Sequence, residues 1–201
     1  MNEPTAANSL SIWQGHRVRL RSIEPDDWSV FHEWDQDDAT ARMVDRIPLP
    51  RSREASRRWA EREATERPSG DAFRWAIVDG DNAVVGSIST HNCDPRVGSF
   101  GYGIGVFPSR QGRGYAAEAI RLVLRYYFTE LGYQKATVHV YAFNQASQTL
   151  HRRLGFVQEG RLRRMVYADQ RHWDVLVFGL TREEFTQHHA SKLPMFAPLK
   201  S

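Results

Sequence analysis

The chain has 201 residues, 41% of them hydrophobic, and a net charge of +3 from 27 lysines and arginines against 24 aspartates and glutamates. That length fits one domain over residues 1–201 with its core at about 12–189, and so small a basic excess does not predict nucleic-acid binding. No apolar stretch reaches the roughly 20 residues that span a bilayer, and the N-terminal segment does not resemble a secretory signal, so we expect a cytoplasmic protein with no membrane partner.

The first half of the chain predicts a strand, then helices, then three strands. "RVRLRSI" (17–23) alternates apolar and polar residues as a half-buried strand does, and "EPDDW" after it has the proline and acids of a helix start. A helix to about Trp34, a less sharply defined short helix and a charged helix over 51–67 follow. "AFRWAIVD" and "AVVGSISTH" are strands joined at "GDN", which is typical of a hairpin. "SFGYGIGVF" is the third strand, unusually rich in glycine.

The second half predicts two helices among three strands. Apolar residues recur at helical spacing over 112–131, and "ATVHVYA" then alternates as a strand. Asn144 can cap the next helix, whose predicted buried residues are Ala146, Leu150 and Leu154. Two last strands turn at "ADQ", and a short helix follows. The order β–α–α–β–β–β–α–β–α–β–β predicts an α+β fold with a mixed, mostly antiparallel sheet and helices on both faces.

The stretch "SRQGRGYAAEAI" (109–120) places glycines and arginines at the start of a predicted helix. The first turn of a helix has free backbone N–H groups and a partial positive charge, which bind anions. Gly112 and Gly114 remove side chains that would block the approach, and Arg110 and Arg113 add charges that can reach phosphate oxygens. The loop therefore predicts a phosphate or pyrophosphate site.

Two other phosphate sites fit this loop less well. The chain has no GxxxxGK[ST] motif, so the loop is not the P-loop of ATPases. Gly112, Gly114 and Ala117 match the loose dinucleotide pattern G-x-G-x-x-G/A. However, the next predicted strand, "KATVHVYAFN", lacks the acid that would hold the ribose. A nicotinamide-binding oxidoreductase therefore stays a weaker alternative.

The segment "QGRGYA" (111–116) resembles the Q/R-x-x-G-x-G/A motif of the GNAT superfamily of N-acyltransferases. A second segment agrees, because Asn144 and Ser147 followed by "LGF" (154–156) resemble the other half of that family's acyl-CoA site. The order of elements is also similar along nearly the whole chain. "WQGHRVRLRSIEPDDW" and "NQASQTLHRRLGF" are most similar to the branch that acetylates N-terminal amines of ribosomal proteins, and to its relatives.

The resemblance implies that acetyl-CoA is the co-substrate and that an amine, a protein N-terminus or a small molecule, accepts the acetyl group. The glycine-rich strand would separate from its neighbour and offer backbone groups to the pantetheine, and the Val106 N–H would polarise the thioester carbonyl. The acetyl-CoA-binding residues implied are Ile104, Gly105, Val106, Arg110, Gln111, Gly112, Arg113, Gly114, Tyr115, Ala116, Asn144 and Ser147.

Asn144, Ser147 and His151 share one helix face at the predicted site. Many GNAT relatives carry a tyrosine as general acid where His151 stands. His151 could donate a proton if it is protonated, or it could only pack in the core. Ser147 could contact the coenzyme or bond within its own turn.

The general base is the least defined part of the predicted site. Relatives often use a glutamate near the start of the glycine-rich strand, where this chain reads "RVGSFGY". A water relay could serve an α-amine, and His91 is another candidate. Cys93, the only cysteine, could form an acetyl-cysteine with His91 as base if both share a strand face. The acids at 35–38 and Asp45 could attract a cationic amine or be merely solvated.

The sequence thus predicts a GNAT-like N-acetyltransferase in which a neutral amine attacks acetyl-CoA directly in a ternary complex, with no metal. The missing glutamate and the histidine at position 151 leave open a non-catalytic acyl-CoA-binding or sensor domain. The acceptor is not identified, and the apolar last strands could pair across a homodimer.

Overall fold

A computed structural model describes residues 11–66, 68 and 70–189, and these form one sheet flanked by helices. The described residues contain seven strands in the spatial order β1-β2-β3-β4-β5-β7-β6. Every neighbouring pair is antiparallel except β4 and β5, which are parallel. The predicted fold class is confirmed. The strands are β1 (Val18–Arg21), β2 (Arg74–Asp79), β3 (Val84–Asp94), β4 (Ser99–Val106), β5 (Lys135–Tyr141), β6 (Val157–Ala168) and β7 (Arg171–Thr181).

The described part of the chain contains six α-helices, of which five connect strands and the last follows β7. Three of them, where the predicted order had two, lie between β1 and β2, because the less sharply defined region forms a short helix of its own. A π-helical turn, Tyr126–Glu130, continues the fourth helix, and 3₁₀ turns lie at Pro25–Asp27 and Pro108–Arg110. The α-helices are α1 (Trp28–Trp34), α2 (Asp38–Val44), α3 (Arg53–Thr65), α4 (Tyr115–Arg125), α5 (Gln145–Arg153) and α6 (Arg182–His189).

Two hydrophobic clusters cover the two faces of the sheet. Alternate residues of β2 show the division, because Trp75 and Ile77 belong to the larger cluster and Ala76 to the smaller one. The larger cluster packs the sheet against α4 and contains its buried residues Ile120 and Leu124. The smaller cluster includes Phe31 of α1. We call these sides the α4 face and the α1 face.

The ends of the predicted domain, residues 1–10 and 190–201, lie outside the described residues. Among the described residues, no helix is both long enough and apolar enough to cross a bilayer.

Candidate active site

A cleft opens between β4 and β5. The two strands pair only at Ser99–Lys135 and Phe100–Ala136, and then they separate. In an antiparallel ladder, alternate residues direct their backbone polar groups to opposite edges of the strand. The Phe107 N–H donates to the Val85 carbonyl (2.9 Å), so the backbone groups of Tyr102, Ile104 and Val106 point away from β3. These groups therefore line the cleft that the resemblance implied.

The glycine–arginine loop joins the open end of β4 to α4. Gly112 and Gly114 have φ of 75° and 82°, which glycine adopts readily, so α4 begins at Tyr115 and not at the predicted Gly112. The first turn of α4 thus leaves its N–H groups without helical acceptors at the end of the cleft. Arg113 is exposed there. The loop geometry suits an anionic ligand.

The other two polar side chains of the predicted loop have partners within the protein. Arg110 lies 3.3 Å from the carboxylate of Asp79, and Gln111 donates through Nε2 to the Val106 carbonyl (3.0 Å). Gln111 therefore holds the loop against the end of β4, which is a positioning role.

Arg17, which the sequence motifs do not indicate, also lies against the loop. Its Nη1 donates to the Arg113 carbonyl (2.9 Å). A Cβ atom on Gly114 would lie 2.6 Å from the same nitrogen. A side chain at position 114 would therefore crowd the guanidinium of Arg17. Arg17 is far from the loop in the sequence, so a local sequence motif does not reveal this contact.

Glu118, in the first turn of α4, fixes the segment that leads into β1. Its carboxylate accepts three backbone hydrogen bonds, from His16 (2.8 Å), Arg17 (2.8 Å) and Val18 (3.0 Å). The side chain thereby also places Arg17 beside the loop.

We expect Glu118→Ala to lower the free energy of unfolding by about 2 kcal/mol, because hydrogen bonds to a charged acceptor contribute about 1.5–3 kcal/mol each and these are partly exposed. Chemical denaturation measures the change. Glu54→Ala is the control, because Glu54 makes only an exposed i,i+4 pair with Arg58, and it should change stability by less than about 0.5 kcal/mol. Equal effects of the two variants would contradict this role.

The polar side chains on the predicted face of α5 mostly contact other groups of the protein. The Asn144 Oδ1 accepts from the Ser147 N–H (2.9 Å), which confirms the predicted cap, and its Nδ2 donates to the Met43 carbonyl of α2 (2.9 Å). Ser147 Oγ lies 3.3 Å from His151 Nδ1. The predicted burial of Ala146 is wrong, since it is exposed while Gln148 and His151 are buried.

His151 is 3% exposed and stacks between aromatic rings on the α4 face. Its ring centroid lies 5.9 Å from that of Tyr102 and 6.2 Å from that of Phe178. Its Nδ1 lies 2.8 Å from the Ser147 carbonyl, so this nitrogen carries the proton. Burial lowers the pKa of His151, so the ring is neutral at pH 7. Among the described residues, the buried His151 Nε2 and Tyr102 hydroxyl have no hydrogen-bond partner.

His91 and Cys93 lie on opposite faces of the sheet, which corrects the expectation that they share one. The ladder between β3 and β4 shifts after His91, where Asn92 has φ of 50°. Cys93 Sγ lies 3.4 Å from the Asp71 carbonyl and 3.8 Å from the Tyr127 hydroxyl. Burial raises the pKa of the Cys93 thiol. The acetyl-cysteine route with His91 as base is therefore wrong.

Most of the acids considered for amine binding have local partners. Asp37 caps α2 by accepting from the Thr40 N–H (3.2 Å) and hydroxyl (2.6 Å). Asp35 lies 3.6 Å from Arg51. Asp45 accepts from the Tyr141 hydroxyl (3.2 Å), and burial, assisted by this carboxylate, raises the pKa of Tyr141 to about 12. Asp45 thus contacts β5, one of the two strands that border the cleft.

The sequence profile described as the acetyltransferase (GNAT) domain matches residues 17–157, from β1 to the start of β6. The chain belongs to the GNAT acetyltransferase family. Members of this family use acetyl-CoA, so the protein is an acetyl-CoA-dependent acyltransferase. The nicotinamide-binding alternative is thereby set aside.

GNAT relatives match over most or half of the chain. The SPbeta prophage-derived uncharacterized N-acetyltransferase YokL of Bacillus subtilis is 41% identical, covering 90% of this chain and 99% of its own. YdaF of B. subtilis, named as a candidate ribosomal N-acetyltransferase, is 30% identical over 52% of this chain and 57% of its own. The crystal structure of the Vibrio cholerae spermidine N-acetyltransferase with CoA and spermine has a TM-score of 0.73 at 21% identity, covering 85% and 99% of the two chains, which shows a shared fold.

The residues of the cleft fit acetyl-CoA. An elongated co-substrate needs a diphosphate site at one end and unpaired backbone groups along its length. The loop before α4 and the separated edge of β4 have these features. The Tyr102 hydroxyl and His151 Nε2, two buried atoms that lack a hydrogen-bond partner, also lie beside β4 on the α4 face. The described residues contain no cluster of three or more metal-ligating side chains.

Proposed function

We propose that this GNAT enzyme transfers the acetyl group of acetyl-CoA to a primary amine by direct attack in a ternary complex. The separation of β4 from β5 after two residue pairs carries this proposal. It leaves the backbone groups of Ile104 and the N–H of Val106 facing a cleft that leads to the N-terminus of α4. Direct attack is favoured over a covalent enzyme intermediate because Cys93, the only cysteine, is turned toward the opposite face from His91.

Acetyl-CoA supplies an acetyl group activated as a thioester. The free N–H groups of residues 112–116 and the exposed Arg113 would hold its diphosphate, and Ile104–Val106 would hold the pantetheine. The backbone N–H of Val106 would stabilise negative charge on the carbonyl oxygen during attack, because it points into the cleft and needs no reorganisation.

Proton donation by His151 stays a prediction, and two observations work against it. Its Nδ1 proton is used by the Ser147 carbonyl, and burial disfavours the imidazolium that would carry a second proton on Nε2. Ser147 bonds within its own turn, which supports the structural role considered for it. Both residues are better explained as holding the wall of the cleft in place.

The acceptor is proposed as a primary amine of a peptide N-terminus or a small molecule. YdaF is named for the first kind of acceptor, and the V. cholerae enzyme is described with spermine and acts on spermidine. The same acetyl-CoA half of the site would serve both kinds.

Calorimetry and thiol release test this proposal together. We expect acetyl-CoA to bind with a micromolar dissociation constant and NADH to produce no heat. We also expect the free thiol to appear when spermidine or a peptide with a free N-terminus is added. Acetyl-CoA binding without thiol release for any primary amine would support the sensor alternative, and no binding would overturn the proposed site.

A further inference from the structure

Two histidines lie on the α1 face beside the cleft, one on each side of β4. His91 pairs with Gly101 across β3 and β4, and side chains of directly paired residues point to the same face. The parallel register Ser99–Lys135 places His139 of β5 level with Gly103 on this face. Both residues are partly open to solvent, and the His91 ring is partly covered.

The ring of His91 lies over β4 at the closed end of the cleft. A Cβ atom on Gly101 would lie 2.7 Å from His91 Cε1 and 3.0 Å from the Thr137 carbonyl oxygen of β5. Glycine at position 101 therefore leaves the space in which the imidazole reaches from β3 toward β5. His91 thus lies where β4 and β5 separate, although it belongs to neither strand.

The α1 face is the side from which a second substrate can reach the cleft. The loop that would hold the diphosphate belongs to α4, on the other face. On the α1 face, Gly103 is exposed between the two histidines, and Trp34 closes the far end by packing on Gly105, where a Cβ would lie 2.4 Å from its ring. An amine entering here would meet His91 and His139 first.

The charges around His91 favour its neutral form. Burial lowers the pKa of His91, the positive charge of His139 lowers it further, and the Tyr102 backbone acts in the opposite direction. On the strands of this face, three charged or titratable side chains lie in pairs: Arg74 with Glu63, Lys135 with Glu159, and Tyr141 with Asp45. His91 is therefore a free base at neutral pH, with the exposed His139 beside it.

Resting on the proposed acetyl transfer, we propose that His91 is the general base that deprotonates the acceptor ammonium. One ammonium proton moves to the His91 imidazole, and the freed lone pair forms the C–N bond as the C–S bond breaks. The second proton lost by the nitrogen passes to the leaving thiolate, which gives the thiol, and His91 releases its proton to solvent. The acceptor class that needs such a base is a strongly basic alkyl amine.

The pH profile of kcat/KM for His91→Gln tests this role with spermidine, which is a strongly basic alkyl amine. A wild type that acetylates only a peptide N-terminus would overturn this acceptor class. We expect the wild-type value to fall as pH decreases through the lowered His91 pKa, below 6.5, and to be level above it. Without the base, the acceptor must bind as the neutral amine. The kcat/KM of the variant should therefore rise about tenfold per pH unit until the pH reaches the amine pKa. At pH 7 its kcat/KM should be about 100-fold lower.

Two controls distinguish loss of the His91 base from a structural effect of the substitution. The wild-type activity shows whether the proposed acetyl transfer itself occurs. His172→Gln, at an exposed histidine of β7, should leave the profile unchanged, and acetyl-CoA affinity should be equal in all variants. His139→Gln should move the acid limb to higher pH, since it removes a charge that lowers the His91 pKa. A variant at position 91 with wild-type rate and profile would overturn the base alone, whereas a wild type that acetylates no amine would overturn both proposals.

Discussion

Gly114→Val is expected to weaken acetyl-CoA binding about 30-fold while the chain stays folded. Gly114 has φ of 82°, a region in which a β-branched residue is strained by about 1–3 kcal/mol. The new Cβ would also lie 2.6 Å from Arg17 Nη1 and would displace the hydrogen bond from Arg17 to the loop. A loss of about 2 kcal/mol in the binding-competent loop corresponds to roughly 30-fold in the dissociation constant.

Calorimetry with acetyl-CoA measures this effect, and two further variants divide it into its causes. Gly132→Val places the same side chain at a similar φ of 73°, where no described heavy atom lies within 4 Å, so it reports backbone strain away from the site. Gly114→Asn reports the contact with Arg17 with less strain, because asparagine tolerates positive φ. Unchanged affinity in both variants at position 114 would show that the loop does not hold the diphosphate.

Gly86→Val should lower the free energy of unfolding by about 3 kcal/mol, near the upper end for overpacking. A Cβ on Gly86 would lie 2.2 Å from the Gly105 carbonyl oxygen and 2.9 Å from the Val106 Cα. Both atoms belong to the backbone of β4, so no rotamer change relieves the clash. Because β4 is one wall of the cleft, we also expect weaker acetyl-CoA binding.

Urea denaturation of Gly86→Val and Gly103→Val compares the stability of two variants in the same β3–β4 ladder. Gly103 pairs with Ser89 in the same two strands, and a Cβ added to Gly103 would have no described heavy atom within 4 Å. Valine there should change stability by less than about 1 kcal/mol, because it fits a strand surface. Similar losses of stability in both variants would mean that the close approach of β3 and β4 is not the reason that position 86 is glycine.

Local chemistry alone predicted the order of elements, except for the third helix between β1 and β2, and it predicted the glycine–arginine loop before α4. Hairpin residues "GDN" and "ADQ", the Asn144 cap and the helical spacing after position 112 act over a few residues, and the structure has each of these features. The predicted start of α4 was three residues too early, because the spacing of apolar residues does not reveal the positive φ of Gly112 and Gly114.

The roles of the remaining site residues depend on contacts that local spacing does not determine. Asn92 at positive φ shifts the ladder by its backbone conformation, and so the period of two that would pair His91 with Cys93 fails. His151 is neutral because Tyr102 and Phe178, on two other strands, enclose it.

The sequence by itself determined the fold class, because turns, caps and hydrophobic periods are properties of neighbouring residues. It indicated the family through the resemblance of two motifs, and it predicted the loop that would hold the diphosphate. Only the tertiary structure decided that Arg17 and Glu118 support this loop and that His91 lies over Gly101. Those contacts join residues that are far apart in the sequence and that the packing of the sheet brings together. Their geometry depends on how the strands and helices pack, and no single segment of the sequence predicts it.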